Sequence, residues 1–319
     1  MRIVPEALIA GLVSPEDAFA AIEAVFAAMS RGEARNFDVV REALGEGRQY
    51  GFKSGLDRAG GQLGVKAGGY FPGNASRGII NHQSTVFLFD PETGRPVAMV
   101  GGGLLTALRT AAASAISIDR LARPEARVLG MVGAGHQAAF QLRAAARVRR
   151  FERVIAWNLH PEMLTRLGAV AAELGLPFEA VPLDRMREAD VIVTITSSPA
   201  ACLLGAHVSA GTHLACMGTD TKGKQEVAPD LLARARVFTD ELAQSVSIGE
   251  AQHAVAQGLL SPAQIVPLGD VVTGQHPGRQ GAEEITLFDG TGVGLQDLAV
   301  AAMAVRRAEE RGQGIVVEV

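Results

Sequence analysis

Cysteine, tryptophan and tyrosine are scarce in this chain of 319 residues, which carries 2 Cys, 1 Trp and 2 Tyr. Cys202 and Cys216 form no Cys-x-x-Cys and have no histidine at ligand spacing, so the pattern speaks against a metal site. Two small apolar thiols fit a reduced, cytoplasmic setting. Long hydrophobic runs are also missing: no uninterrupted apolar stretch reaches the ~18 residues of a membrane span. The opening Met1-Arg2-Ile3-Val4-Pro5-Glu6 has neither the basic nor the apolar region of a signal peptide. Neither sign of charge dominates, with 30 basic and 34 acidic side chains giving −4. That balance leaves no electrostatic footprint for nucleic acid or an anionic membrane. What is plentiful is glycine, with 37 residues, in a chain that is 48% hydrophobic and 20% charged. Such a chain reads as a globular protein of about two domains, with tight turns and close backbone approaches.

Two regimes follow one another. Ser14-Pro15-Glu16-Asp17 reads as a helix start, and Phe19, Ile22, Val25, Phe26 and Met29 continue it at helical spacing to Gly32. Gln62–Lys66, Ser84–Phe89 and Pro96–Val100 read as strands of a largely antiparallel sheet. From an alanine-rich helix over Thr106–Leu121 onward, helices and short apolar strands alternate. The strands are 127–132, 153–157, 178–181, 191–196, 212–217 and 236–239, and a last helix covers Leu295–Arg311. Alternation of this kind predicts an α/β domain with a doubly wound parallel sheet.

Val132-Gly133-Ala134-Gly135-His136-Gln137-Ala138 fits G-x-G-x-x-A, with a strand entering and a helix leaving. The first glycine permits the turn, the second admits a pyrophosphate to the helix N-terminus, and Ala138 is small enough for close packing. The next strand ends in Trp157-Asn158-Leu159-His160, with neither the acid that reads a ribose nor the arginine that welcomes a 2′-phosphate. Asn158 can bond a ribose hydroxyl, which favours NAD(H) over NADP(H). Thr196, Ser197 and Ser198 close another strand and either border the cofactor or simply make a turn.

Three charged residues stand where charge is unusual. Lys66 ends the apolar Leu63-Gly64-Val65 and is either a solvent-reaching edge residue or an active-site ammonium. Arg109, in an alanine-rich helix, requires an anion if buried, and a substrate carboxylate matches its fork. Asp220 follows Met217-Gly218-Thr219 at a strand end, where it can hold or relay a proton.

Together Gly64-Val65-Lys66, Pro72 and Asn74, Leu105-Thr106-Ala107-Leu108-Arg109-Thr110-Ala111-Ala112, Val132–Gly135, Gly218–Glu226 and Gly249-Glu250 resemble the ornithine cyclodeaminase/mu-crystallin family. The resemblance implies a Rossmann-type domain inserted in an α+β substrate-binding and dimerisation domain. The expected division is 1–112 plus 300–319 against 113–299. It further implies a homodimer and an NAD(P)-dependent reaction on a small imino or keto acid. Lys66 and Asp220 carry over as catalytic, Arg109 as a carboxylate clamp and Arg41 as a second one. The cofactor set expected from it is completed by Thr85, Thr110, Met217, Gly218 and Val293.

One departure bears on the substrate. Family members that cyclise ornithine have a glutamate thirteen residues before the lysine, and here that place is Lys53. A cation there repels a distal amine and attracts a distal carboxylate, unless Lys53 merely sits on an exposed loop. Arg48 and His82 are further polar candidates. The chain therefore resembles the imine-reducing members, and the expected reaction is iminosuccinate to aspartate. Cyclodeamination with recycled NAD, alanine dehydrogenation, cyclic ketimine reduction and a non-catalytic crystallin-like role are the alternatives.

Overall fold

The computed structural model describes residues 1–318. Along the chain come β1 (Arg2–Val4), α1 (Glu6–Leu12), α2 (Pro15–Ser30), β2 (Ala34–Asn36), β3 (Val40–Gly45), β4 (Arg48–Asp57), β5 (Gln62–Tyr70), β6 (His82–Phe89), β7 (Pro96–Gly101) and α3 (Gly103–Leu121). There follow β8 (Val128–Val132), α4 (Ala138–Val148), β9 (Arg153–Trp157), α5 (Leu164–Glu173), β10 (Phe178–Ala180), β11 (Val191–Thr194) and β12 (His213–Cys216). The chain ends with α6 (Pro229–Arg234), β13 (Arg236–Thr239), α7 (Leu242–Ser247), α8 (Gln252–Ala256), β14 (Val266–Pro267), α9 (Leu268–Val272), β15 (Thr286–Asp289), α10 (Gly294–Glu310) and β16 (Ile315–Val316).

These elements form two compact units, residues 1–109 with 293–319 and residues 110–292. Both boundaries fall earlier than the sequence suggested. Val293 and the whole of α10 therefore belong to the first unit.

The first unit is an eight-stranded, mostly antiparallel sheet in the order β16-β1-β7-β6-β5-β4-β2, with β3 also paired to β4. Its helix α2 starts where a capping box can form: Ser14 Oγ accepts from the Asp17 amide at 3.1 Å, and Asp17 accepts from the Ser14 amide at 2.8 Å. Ala18, Ile22, Val25 and Phe26 make the buried stripe of that helix. Strands β5, β6 and β7 fall where the sequence predicts strands, and residues 34–57 add β2, β3 and β4. In β4 the apolar Tyr50, Phe52 and Leu56 alternate with Gly51, Lys53, Gly55 and Asp57, but the face bearing glycine and charge is the buried one, the reverse of the usual pattern.

The second unit holds an all-parallel sheet in the order β10-β9-β8-β11-β12-β15-β13-β14. Chain order reverses between β8 and β11, the switch point at which ligands bind in open parallel sheets. Strands β8, β11, β12 and β15 are short and almost wholly buried, as a sheet covered on both faces requires. Among the described residues no helix is long and apolar enough to cross a membrane.

Candidate active site

In the first unit the sheet register gathers the charge. Lys53 on β4 lies directly opposite Lys66 on β5, and Gly51 opposite both Arg41 on β3 and Gly68. Directly paired residues share a face, as do residues two apart, so Arg41, Lys53 and Lys66 point to one side. The spacing of thirteen between the two lysines is thus a cross-strand pairing. Glycines 51 and 68 leave the floor beside them without side chains. Helix α10 covers this face closely: a side chain at Gly294 would meet the backbone of Lys53 and Ser54 at 2.7–2.9 Å. That approach brings Asp297, in the first turn of α10, over Lys66.

The resulting contacts are short and buried. Lys66 Nζ donates to Thr106 Oγ1 at 2.6 Å and to Asp297 Oδ1 at 3.0 Å. Thr106 donates its own hydroxyl to the Gly102 carbonyl at 2.6 Å, so towards Lys66 it can only accept. Arg109 Nε donates to the same Asp297 oxygen at 3.2 Å, and its Nη1 to Gln296 Oε1 at 3.3 Å. Lys53, Lys66 and Arg109 are 4–7% exposed and Asp297 is 0%. Burial pushes the Lys66 ammonium down to about 8; Asp297 opposes that shift, while Arg109 and Arg41 add to it. Burial alone would raise the Asp297 carboxyl, but Arg109 and Lys66 outweigh it and hold it below its ordinary value. Lys66 is therefore an ammonium poised to exchange a proton near neutrality.

Other expected residues separate from this cluster. Lys53 is buried in a strand, so the exposed-loop alternative fails. His82 lies on the same face, paired with Tyr70 at the end of the hairpin. Arg48 alternates to the opposite face, is exposed, and pairs with Glu46 at 3.0 Å. Thr85 pairs with Ala67, the neighbour of Lys66, and so also lies on the opposite face. The side chain of Val293 is wholly buried, which leaves only its backbone to meet a ligand. Arg48 and Thr85 are thus placed away from the lysine pair by the period of two in a strand.

In the second unit the remaining expected residues collect at the C-terminal ends of β8, β9, β11 and β12. Gly133 has φ +108°, and a side chain there would strike the Ile195 carbonyl at 2.6 Å; only glycine fits. At Gly135 the same position opens on empty space, beside His136 and Gln137 at the start of α4. This is a cradle that a pyrophosphate can fill. Asn158 braces it: its side-chain oxygen accepts from the Ala134 amide at 3.0 Å, and its amide donates to the His160 carbonyl at 2.8 Å. Asn158 therefore holds the loop in shape. Thr196, Ser197 and Ser198 follow β11, and Met217 and Gly218 follow β12. Thr110 is buried in α3. Asp220 is half-buried, with Lys224 Nζ 3.3 Å from its carboxylate. Among the described residues no group of three or more His, Cys, Asp or Glu side chains is placed to hold a metal ion.

Three buried carboxyls of the second unit were not foreseen, besides Asp297 in the first. Glu226 is fully buried and accepts from Thr194 Oγ1 at 2.7 Å, the Thr196 amide at 2.5 Å and the Gly218 amide at 2.8 Å, tying together the ends of β11 and β12. Glu250 accepts from the amides of Glu226 and Val227 at 2.8 and 2.6 Å. Asp289 in turn accepts from the Glu250 amide at 2.9 Å and Ser245 Oγ at 2.6 Å. Burial raises all three carboxyls, Glu250 to about 8 with help from the charge on Glu226, and Asp289 to about 7. The signal for Glu226 was the G-x-D-x-x-G-K-x-E segment, whose last residue had no assigned role. Asp297 is the other omission, hidden by a contact spanning 231 residues.

The chain is similar to several known proteins over its full length. An iminosuccinate reductase of Paracoccus denitrificans is 64% identical over the full length of both chains. The crystal structure of the Paracoccus denitrificans iminosuccinate reductase in complex with NAD+ superposes with a TM-score of 0.94 and 64% identity, covering 100% of this chain and 99% of that one. An alanine dehydrogenase of Archaeoglobus fulgidus is 31% identical over 98% of this chain and 96% of its own. An archaeal alanine dehydrogenase dimer with bound NAD gives a TM-score of 0.94 at 30% identity, over 100% and 99% of the two chains. A Delta(1)-pyrroline-2-carboxylate reductase of Bacillus cereus is 31% identical over 80% of each chain. The sequence profile of the ornithine cyclodeaminase/mu-crystallin family matches residues 8–312, and the chain belongs to that family.

Proposed function

We propose that this protein is an NAD-dependent oxidoreductase that reduces the imino acid iminosuccinate to aspartate. The observation that carries the reading is Lys53, buried and paired with Lys66 on the face that also bears Arg41. A distal carboxylate is stabilised there, whereas the distal amine of ornithine is repelled. The full-length likeness to an iminosuccinate reductase supports the same substrate.

Arg109 and Arg41 hold the α-carboxylate, and Lys53 holds the distal one. His82 lies further along the same face and is assigned to a polar end of the substrate. The Gly133–Ala138 turn fits the pyrophosphate of a dinucleotide, which when bound supplies the hydride. Thr110, Thr196, Ser197, Ser198, Met217 and Gly218 are assigned to its nicotinamide half, and NAD(H) is preferred because no arginine follows Asn158 to receive a 2′-phosphate. Lys66 donates a hydrogen bond to the imine nitrogen or its proton, which keeps the carbon electrophilic. Asp220 takes up or returns the substrate proton.

Residues 1–109 with 293–319 then form the substrate-binding and dimerisation domain, and residues 110–292 the cofactor domain. The sheet face opposite Lys66 supports a homodimer. Val40, Tyr50 and Phe52 are each about two-fifths exposed there, and Val65, Phe87 and Met99 are half-buried on the same face. A second copy of the chain would cover that surface. Light scattering should give twice the 33.3 kDa chain mass, and Phe52→Asp should return a monomer. The reduced, unpaired Cys202 and Cys216 suit a cytoplasmic enzyme.

The deciding experiment follows NADH absorbance with oxaloacetate and ammonium, and aspartate by chromatography. One NADH consumed per aspartate formed supports the reading. Ammonia release from ornithine without net NADH change would replace it with cyclodeamination.

A further inference from the structure

Lys66 has three N–H bonds and its immediate partners use two of them, Thr106 Oγ1 and Asp297 Oδ1. Thr106 is fixed as an acceptor by its bond to the Gly102 carbonyl. Asp297 Oδ1 lies 3.0 Å from Lys66 and 3.2 Å from Arg109, so one oxygen spans the ammonium and the guanidinium. The other oxygen, Oδ2, is buried and meets no donor among the described residues. The carboxylate is thus directed wholly at the two cations.

We propose that Asp297 is a positioning residue. With Thr106 it ties down two hydrogens of Lys66 and leaves the third for the substrate nitrogen. Through the same oxygen it fixes the separation of that proton donor from the Arg109 clamp. The inference rests on the imine-reducing role of the site, but its first test does not.

The groups facing Lys66 are Lys53 from β4, Arg41 from β3, Arg109 from α3 and Asp297 from α10. Among these Asp297 is the anion, so removing its charge should ease loss of the Lys66 proton. Asp297→Asn is the suitable variant. Its carbonyl can keep the place of Oδ1, and its amide nitrogen would stand at Oδ2, where it confronts no donor.

Cyanate labelling of Lys66, read by peptide mass spectrometry across pH, requires no substrate. In Asp297→Asn the labelling midpoint should move to lower pH by about one unit, roughly tenfold in reactivity on the rising limb. In turnover, kcat should fall about tenfold or more, and the alkaline limb of its pH profile should move the same way. NADH affinity, measured by fluorescence, should hold. A labelling midpoint that stays in place overturns the inference whatever the substrate proves to be. Parallel loss of NADH affinity, labelling order and thermal transition would mean a merely structural role and also overturn it. Should Asp297→Asn fail to fold, Thr106→Val decides: a fall in kcat at unchanged KM is expected, and unchanged kcat refutes the tether.

Discussion

The two units handle buried charge in opposite ways. In the first, Lys53, Lys66 and Arg109 are almost fully buried around a carboxylate, which Lys66 and Arg109 meet as ion pairs and Lys53 acts on through its charge. In the second, three buried carboxyls are served by backbone amides and hydroxyls. The first arrangement is costly to desolvate, a cost that an anionic ligand would offset. The second retains protons to lower its own charge and fixes loops at strand ends. On the proposed function, charge in one unit serves binding, whereas in the other it holds strand ends together.

Breaking the cationic side should have the largest effect. Lys66→Ala is expected to lower kcat by about 10²–10⁴-fold, the usual worth of a general acid, with NADH binding intact by fluorescence. Next comes Lys53→Met, which removes the partner of the distal carboxylate. Its kcat/KM for the dicarboxylate should fall about 10–100-fold, as for a lost charged hydrogen bond, while the imine of pyruvate is reduced as well as before or better. A selectivity ratio that does not move would remove Lys53 from recognition.

On the anionic side, Glu226→Gln turns an amide nitrogen toward one of three donors. A loss of roughly 1–3 kcal/mol in denaturant unfolding is expected, with weaker NADH binding because the ends of β11 and β12 loosen. The smallest effect distinguishes the units by pH. Glu250 is raised in the folded chain to about 8, so the folded state holds a proton that the unfolded state gives up near 4.5. Its contribution is complete below the unfolded value and is lost as pH climbs to about 8. Lys66 has the reverse slope: lowered to about 8 when folded, it costs stability below that pH and is relieved between 8 and 10.5. Between pH 4.5 and 8 the melting temperature of Glu250→Gln should therefore fall less, or rise more, with pH than that of the parent. Identical curves would deny the carboxyl its proton.

The sequence exposed these regions unequally. Gly133–Ala138 was legible because the phosphate turn is local, every constraint lying within a few residues. Lys66 and Arg109 were legible as charges in apolar segments, and Lys53 through its spacing to Lys66. The faces of Thr85 and Arg48 were not legible, because cross-strand parity with Lys66 decides the one and an odd spacing from Lys53 the other. Asp297 was hidden by distance along the chain, and by a domain boundary that falls earlier than the expected one at residue 300. The carboxyl ladder likewise joins residues separated by 24 and 39 positions, which no local pattern records.

The turn at residues 58–61, joining β4 to β5, carries none of these groups but determines which meet. Adding or deleting a single residue there would slide one strand past the other and send the two ammonium groups to opposite sides of the sheet. Loop length at this remote corner is accordingly a chemical parameter, able to erase the preference for a doubly charged substrate without altering any side chain that would touch it.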